Sequence, residues 1–265
     1  MLWKIATFNV NGLRARLPIV VDWLKKQQPD VLCLQETKCQ DQDFPYPAFQ
    51  EVGYHTYARG EKSFNGVALI SKAPLAEVWP EFGDGLPDSE ARLIAGQVSG
   101  IWIINTYIPQ GRHPQDPAFT DKLGFFDRLR NWFNRRFRPD QPLIWTGDMN
   151  VAPDKLDVYD PEHLDGAVGF HPLERQALAE VAAWGFIDLY RQFHPQDQQF
   201  TFWDYRLAKS FARNLGWRLD HIMVTASLAQ VAKECEVDVA PRGLAKPSDH
   251  TPLWAVFELE QLDPD

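Results

Sequence analysis

Little in this chain points to an oxidising compartment or to a membrane. Only three of its 265 residues are cysteine (Cys33, Cys39 and Cys235). An odd number with no CxxC spacing disfavours a disulfide framework or a structural zinc centre and fits a reducing cytosol. The opening Met1-Leu2-Trp3-Lys4-Ile5 lacks the basic segment and apolar run of a secretory signal. No apolar stretch approaches the roughly 20 residues of a membrane helix. These absences lead us to expect a soluble, cytoplasmic protein. Repeats, low-complexity tracts and Gly/Ser linkers are missing too, so the chain reads as one domain over residues 1–260 with a short acidic tail at 261–265. HExxH motifs and Cys/His clusters are absent, which makes zinc the weaker choice of metal. Cationic excess is also lacking. A net charge of −9 counts against a nucleic-acid partner, unless a local basic rim coexists with acidic remote faces.

What is present is enough to build a deep core: 45% of residues are hydrophobic and 13% aromatic, ten of them Trp. Short apolar runs bounded by Gly, Pro, Asn or Asp predict strands at Lys4–Phe8, Val31–Leu34, Val67–Ile70, Arg92–Val98, Trp102–Tyr107, Leu143–Thr146, Leu219–Val224 and Leu253–Phe257. Helical spacing of apolar residues marks Leu17–Gln28, Asp121–Phe137 and Leu173–Trp184. Pro18 introduces the first and Pro29 follows it, while the second has a basic end that suits the helix dipole. Strands alternating with helices predict sheets covered by helices. Where strands follow one another directly, around Arg92–Tyr107, the pairing should be antiparallel.

The informative pattern is where polar groups fall. Runs that read as buried strands end in Asn9 and Asn11, in Gln35-Glu36, in Asp148-Met149-Asn150, in Asp220-His221 and beside Asp249-His250. A carboxylate at a buried strand end costs desolvation energy unless it meets a cation or donors. Several such ends on one sheet edge would gather the oxygen ligands that Mg²⁺ or Mn²⁺ requires. Taken singly, each has a plainer reading. Glu36 could cap a helix, Asp148 and Asn150 could build an Asx turn, His250 could be a structural histidine, and Asp220 could pair with Arg218.

Longer blocks surround these residues: Phe8-Asn9-Val10-Asn11-Gly12-Leu13-Arg14-Ala15, Leu34-Gln35-Glu36-Thr37-Lys38, Asn65-Gly66-Val67-Ala68, Asn105-Thr106-Tyr107-Ile108-Pro109-Gln110-Gly111, Gly147-Asp148-Met149-Asn150, Thr201-Phe202-Trp203-Asp204-Tyr205-Arg206, Gly216-Trp217-Arg218-Leu219-Asp220 and Lys246-Pro247-Ser248-Asp249-His250. In them the chain resembles the endonuclease/exonuclease/phosphatase superfamily, specifically its exonuclease III-like abasic-site nucleases. The resemblance runs from residue 8 to residue 250 in family order. It implies a four-layer α-β-β-α sandwich of two packed mixed sheets, the DNase I-like fold. It also implies a metal-dependent DNA phosphodiesterase of base-excision repair, using Mg²⁺ or Mn²⁺ on double-stranded DNA with abasic sites or 3′ ends, and working as a monomer.

Residue by residue, Glu36 resembles the principal metal ligand, with Asn9 and Asn11 beside it. Asp148 resembles the residue that orients or deprotonates the attacking water, and Asn150 the one that positions it. Tyr107 resembles a phosphate contact. His250, oriented by Asp220, resembles the histidine at the scissile phosphate, and Asp249 an additional metal or leaving-group residue. On this resemblance Asp148, Asn150 and His250 also join the metal set. Asn11, Arg14, Lys38, Asn65 and Arg112 resemble DNA contacts. Phe202, Trp217 and Leu219, with Trp203 beside them, resemble a pocket wall for a flipped-out abasic sugar. The order Thr-Phe-Trp-Asp-Tyr departs from the Ser-Trp-Phe-Asp-Tyr of some relatives, so the balance of exonuclease and abasic-site cutting stays open.

Arg14, Arg16, Lys38, Arg59, Lys62, Arg112, Arg206, Lys209, Arg213 and Lys246 lie in the expected loops and read, as a group, as a phosphate-binding rim. Two rivals remain at this point. One is an inositol-phosphate or sphingomyelin phosphodiesterase on the same fold; the other is a catalytically silent DNA-binding relative.

Overall fold

The computed structural model describes residues 1–259, so the expected acidic tail lies outside the described residues. The strands are β1 Leu2–Asn9, β2 Val31–Gln35, β3 His55–Arg59, β4 Val67–Ser71, β5 Glu77–Trp79, β6 Leu93–Val98, β7 Ile101–Tyr107, β8 Leu143–Asp148, β9 Phe186–Asp188, β10 Asp220–Thr225, β11 Ala232–Val237 and β12 Leu253–Glu258. The helices are α1 Leu13–Gln27, α2 Tyr46–Gln50, α3 Pro117–Arg136, α4 Pro161–Leu164, α5 Pro172–Ala182, α6 Leu189–Phe193 and α7 Ala226–Val231. Two six-stranded sheets result, in the orders β11-β12-β1-β2-β4-β3 and β5-β6-β7-β8-β10-β9.

Alternation with period two sorts the side chains into layers. Trp3, Ile5, Val31, Cys33 and Leu69 face Ile103, Ile144, Ile222 and Val224 of the second sheet across the central core. Ala6, Phe8, Leu32 and Leu34 point the other way, onto Val20, Trp23 and Leu24 of α1. Leu143 and Trp145 back onto Phe126, Leu129, Trp132 and Phe133 of α3 and Leu178 and Val181 of α5. This is the α-β-β-α sandwich. Each fully buried Ile, Leu or Phe contributes roughly 1.5–3 kcal/mol of transfer free energy.

Each expected strand is found, and the Arg92–Tyr107 stretch pairs antiparallel as expected, Leu93 opposite Thr106. The strands that sequence patterning missed are β3, β5, β9 and β11, and each is an edge strand. An edge strand is covered less completely, so His55–Arg59 and Ala232–Val237 carry no continuous apolar run. Helix limits also differ. α1 begins at Leu13, earlier than expected, because Leu13 is itself buried and Gly12 makes the turn (φ +100). Pro18 therefore lies inside α1 rather than introducing it. α3 starts at Pro117, capped by the Asp116 carboxylate, which accepts from the Ala118 N–H.

Pairing direction decides where the polar ends go. β1 and β2 run parallel, so their C-terminal ends share one edge. β12 runs antiparallel to β1 and β4 to β2, which brings the segments before them to the same edge. In the second sheet β7 and β8 are parallel and β10 is antiparallel to β8. Below this edge a buried polar clamp ties the sheets together. Asn105 on β7 donates through Nδ2 to the Leu34 and Ala68 carbonyls, at 2.9 and 3.0 Å, and accepts at 2.7 Å from Gln35 Nε2. Such bonds have direction where apolar packing has none, so they fix how one sheet sits on the other.

Candidate active site

Asp148 ends β8, and its register partner across the antiparallel pair is Asp220, the first residue of β10. Like charges directly opposite each other are unfavourable. His250 relieves the clash from the segment before β12. Its Nδ1 lies 2.8 Å from Asp220 Oδ2, and its Nε2 lies 3.7 Å from Asp148 Oδ2. Burial works against a charged ring, but the Asp220 and Asp148 carboxylates overrule it and push His250 up to about 10. Arg218 does not pair with Asp220. Its guanidinium is taken by Asp157 (2.6 Å) and Asp188 (2.7 Å), which leaves Asp220 to His250.

Asn9 joins the two sheets at this point. Its Nδ2 donates to Glu36 Oε1 and to Asp148 Oδ2, each at 2.8 Å. Glu36 sits at φ +50, a conformation that residues with a Cβ rarely adopt, and the Gly12 N–H holds its carbonyl at 2.7 Å. Burial would raise the Glu36 carboxyl, but the Lys38 ammonium 2.8 Å away and the Asn9 amide bring it below the ordinary value. Asp148 is fully buried. That burial, with the Asp220 and Glu36 carboxylates adding to it, pushes its carboxyl up to about 7 although His250 pulls the other way. Glu36, Asp148 and His250 each present a ligand atom within 4.8 Å of the others.

Asn150 forms the Asx turn that its spacing allowed, its N–H donating to Asp148 Oδ1 at 2.9 Å, and it still lines the cavity. The turn and the site are the same object. Tyr107 ends β7 in register with Asp148. Burial holds its phenol well above the usual value, and the Glu36 and Asp148 charges add to this, so it is a hydrogen-bond donor at any working pH. Asp249 accepts from Asn11 Nδ2 at 2.9 Å, and Ser248 Oγ donates at 2.7 Å to the Asn9 carbonyl, tying the last segment to the first strand.

Of these groups Glu36, Tyr107, Asn150, Asp249 and His250 line a cavity of about 320 Å³, together with Phe202, Trp217, Leu219, Gln110, Gly169, Asp204 and Arg206. Phe202 pairs with both Trp217 and His250 through backbone bridges, and its ring centroid lies 4.8 Å from the His250 ring. Gly169 (φ +89) leaves little room for a side chain, because a Cβ would sit tightly at 3.3 Å from the Trp217 ring in a left-handed backbone shape that favours glycine. The expected apolar wall is therefore built from Phe202, Trp217 and Leu219. Trp203 is a correction: it is 1% exposed, packs on Phe211, donates its indole N–H to Asn214 and does not line the cavity.

The other expected contacts do not line the cavity, Arg206 excepted. Asn65 is buried with its amide on Glu61, off the cavity, while Asn11 and Lys38 hydrogen-bond each other beside Glu36. Arg14, Lys62, Arg112, Lys209, Arg213 and Lys246 are exposed. Arg59 drops out of the rim, because it is bound to Asp88 and to the Pro80 carbonyl. Arg16 reaches the Pro247 carbonyl and Arg206 pairs with Asp204. Sequence reasoning missed Gln110, Val168, Gly169 and Asp204 as lining residues. Gln110 stands inside the Asn105–Gly111 block, whereas Val168 and Gly169 belong to a loop without a chemical signal.

Sheet edges that join carboxylates, amides and an imidazole beside one cavity define a class, the α-β-β-α phosphoester hydrolases. The chain belongs to the Endonuclease/Exonuclease/phosphatase family, whose sequence profile matches residues 6–250. It is 33% identical to exodeoxyribonuclease III of Haemophilus influenzae, over 96% of this chain and 100% of that one. An AP endonuclease from Archaeoglobus fulgidus superposes with a TM-score of 0.93 at 42% identity, covering 97% of this chain and 100% of the other. A 3′ phosphatase, NExo from Neisseria, solved with a product DNA hairpin, gives 0.93 at 37% identity over the same shares. Among the described residues no helix is long and apolar enough to cross a membrane.

Proposed function

We propose that this chain is a cytoplasmic, monomeric DNA phosphodiesterase of base-excision repair, with residues 1–260 acting as one catalytic domain. It nicks 5′ to abasic sites and removes nucleotides or blocking groups from 3′ ends of duplex DNA, and it depends on Mg²⁺ or Mn²⁺. The observation that carries this reading is the meeting of Glu36, Asp148 and His250 within 4.8 Å beside an apolar-walled cavity.

The residues fit a hard divalent ion. Glu36 offers half-buried and Asp148 buried carboxylate oxygens, and Asp148 is raised by burial first and then by the Asp220 and Glu36 charges, which such an ion would offset. Glu36 would be its main holder, with Asp148, Asn9, Asn150 and Asp249 nearby. His250 lies close enough as well, but the protonated ring its neighbours favour has no lone pair for a cation, so we assign it to the phosphate. The chemistry the ion supplies is Lewis-acid relief of charge on the departing oxygen.

The chain's own groups do the rest. Asp148 accepts the proton of the attacking water as that oxygen bonds to phosphorus and the bond to the sugar oxygen breaks. Burial raises this carboxyl and so favours its taking up the proton. His250, held by Asp220, and Tyr107 and Asn150 donate hydrogen bonds to phosphate oxygens as their charge grows. Phe202, Trp217 and Leu219 give a base-free deoxyribose an apolar wall to pack against. The rim of exposed Arg and Lys holds the flanking phosphates.

The test is a substrate panel with purified protein and Mg²⁺: a duplex with one abasic analogue, an intact duplex with recessed 3′ ends, inositol polyphosphates and sphingomyelin. Cutting of both DNA substrates alone is expected. Preferential hydrolysis of inositol phosphate or lipid would replace this reading, and DNA binding without any cutting would reduce the chain to a silent relative.

A further inference from the structure

Behind the cavity lies an ion pair with no direct access to it. Lys122 on α3 and Glu174 on α5 are both 0% exposed and bind each other directly. The other two protons of the Lys122 ammonium go to backbone carbonyls, that of Asn150 at 2.7 Å and that of Gln110 at 3.3 Å. Glu174 uses its second oxygen, Oε2, to accept from the Gly169 and His171 N–H groups at 2.8 and 3.2 Å. All three donors of one ammonium and both oxygens of one carboxylate are thereby occupied. Their backbone partners at Gln110, Asn150 and Gly169 all line the cavity, whereas neither charged residue does.

A buried pair of this kind is a weak source of net stability, because the desolvation of two charges offsets their attraction. What it supplies is direction. Asn150 sits at φ +50, a left-handed shape that Asn adopts more readily than most residues, and Gly169 at φ +89 has the freedom of glycine, so the hydrogen bonds to Lys122 and Glu174 are what single out one position for each. Gly169 in turn abuts the Trp217 ring. Besides the apolar packing of Phe119 on His171 and of Phe126 and Leu178 in the cluster with Ile108, Met149 and Val151, this pair gives the two helices directional, hydrogen-bonded contact with the cavity-lining backbone.

We propose that Lys122 and Glu174 are positioning residues, a buried charge clamp that sets the Asn150 carbonyl and the Gly169 loop so that nucleophile and sugar wall keep their places. The kinetic arm of the test rests on the nuclease reading above; the exchange arm does not.

The decisive variant is Lys122→Met with Glu174→Gln, which removes both charges and leaves no buried ion unpaired. We expect it to melt within a few degrees of the wild type. Its kcat on the abasic duplex should fall on the order of tenfold or more, with KM nearly unchanged, as for a group that acts on the transition state. Amide hydrogen exchange at residues 168–171 and 110–112 should speed up by a similar factor, while exchange inside α3 and α5 stays at the wild-type rate. A folded double variant with kcat and loop exchange both within twofold of the wild type overturns the proposal. Equal loosening of α3 and α5 would do so too, since it reduces the pair to a general packing role. Should the double variant fail to melt cooperatively, Glu174→Gln alone carries the same exchange measurement at Gly169, with the same two outcomes. If the wild type cuts no DNA, the nuclease reading falls, and exchange alone decides this one.

Discussion

His250 owes its charge to two carboxylates that face it from adjacent strands, and that arrangement has consequences for pH. Its folded-state value of about 10 exceeds the ordinary 6.5. The protonated ring therefore contributes stability in full below about pH 6.5 and loses it as the pH rises towards 10. Asp148, raised from 3.8 to about 7, acts in the same direction over the lower window, because the folded state holds its proton longer than the unfolded state does. The melting temperature of chelator-treated protein should fall as pH rises from about 6, where the lowered carboxylates such as Glu36, Asp157 and Asp188 are already ionised in both states, to about 10. Asp220→Asn should flatten the upper part of that fall. A wild-type profile rising with pH above 7 would contradict the assignment. For catalysis, Asp148→Asn and His250→Gln should each lower kcat about a hundredfold or more while circular dichroism stays unchanged. Polar residues at the ends of apolar runs make these positions legible in the sequence itself. What sequence could not supply was the competition between partners. Asp220 adjoins both Arg218 and, in space, His250, and only the Asp157 and Asp188 carboxylates on Arg218 settle which pairing it makes.

At the scale of elements, neighbouring aromatics separate into different jobs. Phe202 and Trp203 are adjacent in sequence, yet Phe202 faces the cavity and Trp203 the interior. Trp203→Ala should destabilise the fold by about 3–5 kcal/mol, the range for a large buried aromatic, measured by urea denaturation. Trp217→Ala should cost far less stability, since Trp217 is half-buried, and should weaken discrimination between abasic and intact nucleotides instead. Equal destabilisation by both would contradict the division. Sequence alone showed only that aromatics crowd the segment, and the antiparallel bridge between Phe202 and Trp217 assigns them. Strand legibility follows a similar logic. Inner strands are covered on both faces and declare themselves as apolar runs, while the four edge strands do not. Lys122 and Glu174 were invisible for another reason: 52 positions separate them, and nothing local in either helix marks the contact.

Over the whole molecule, a net charge of −9 is compatible with the cationic rim proposed above. A net charge sums over the whole chain and does not say where its cationic residues lie. Six exposed rim residues, Arg14, Lys62, Arg112, Lys209, Arg213 and Lys246, are available to phosphates. That number of contacts corresponds to a loss in abasic-duplex affinity on the order of a thousandfold between about 50 and 200 mM salt. Affinity that ignores salt would remove the rim from the account.

The cleft itself is tested most directly by single-turnover nicking of a duplex carrying one abasic analogue, with Mg²⁺ and with chelator, for the wild type and for Glu36→Gln. Rapid nicking by the wild type only with metal, and a Glu36→Gln rate lower by about a hundredfold that recovers in part at high Mg²⁺, is the predicted result. Wild-type nicking that persists in chelator, or a Glu36→Gln variant as fast as its parent at low Mg²⁺, would contradict it.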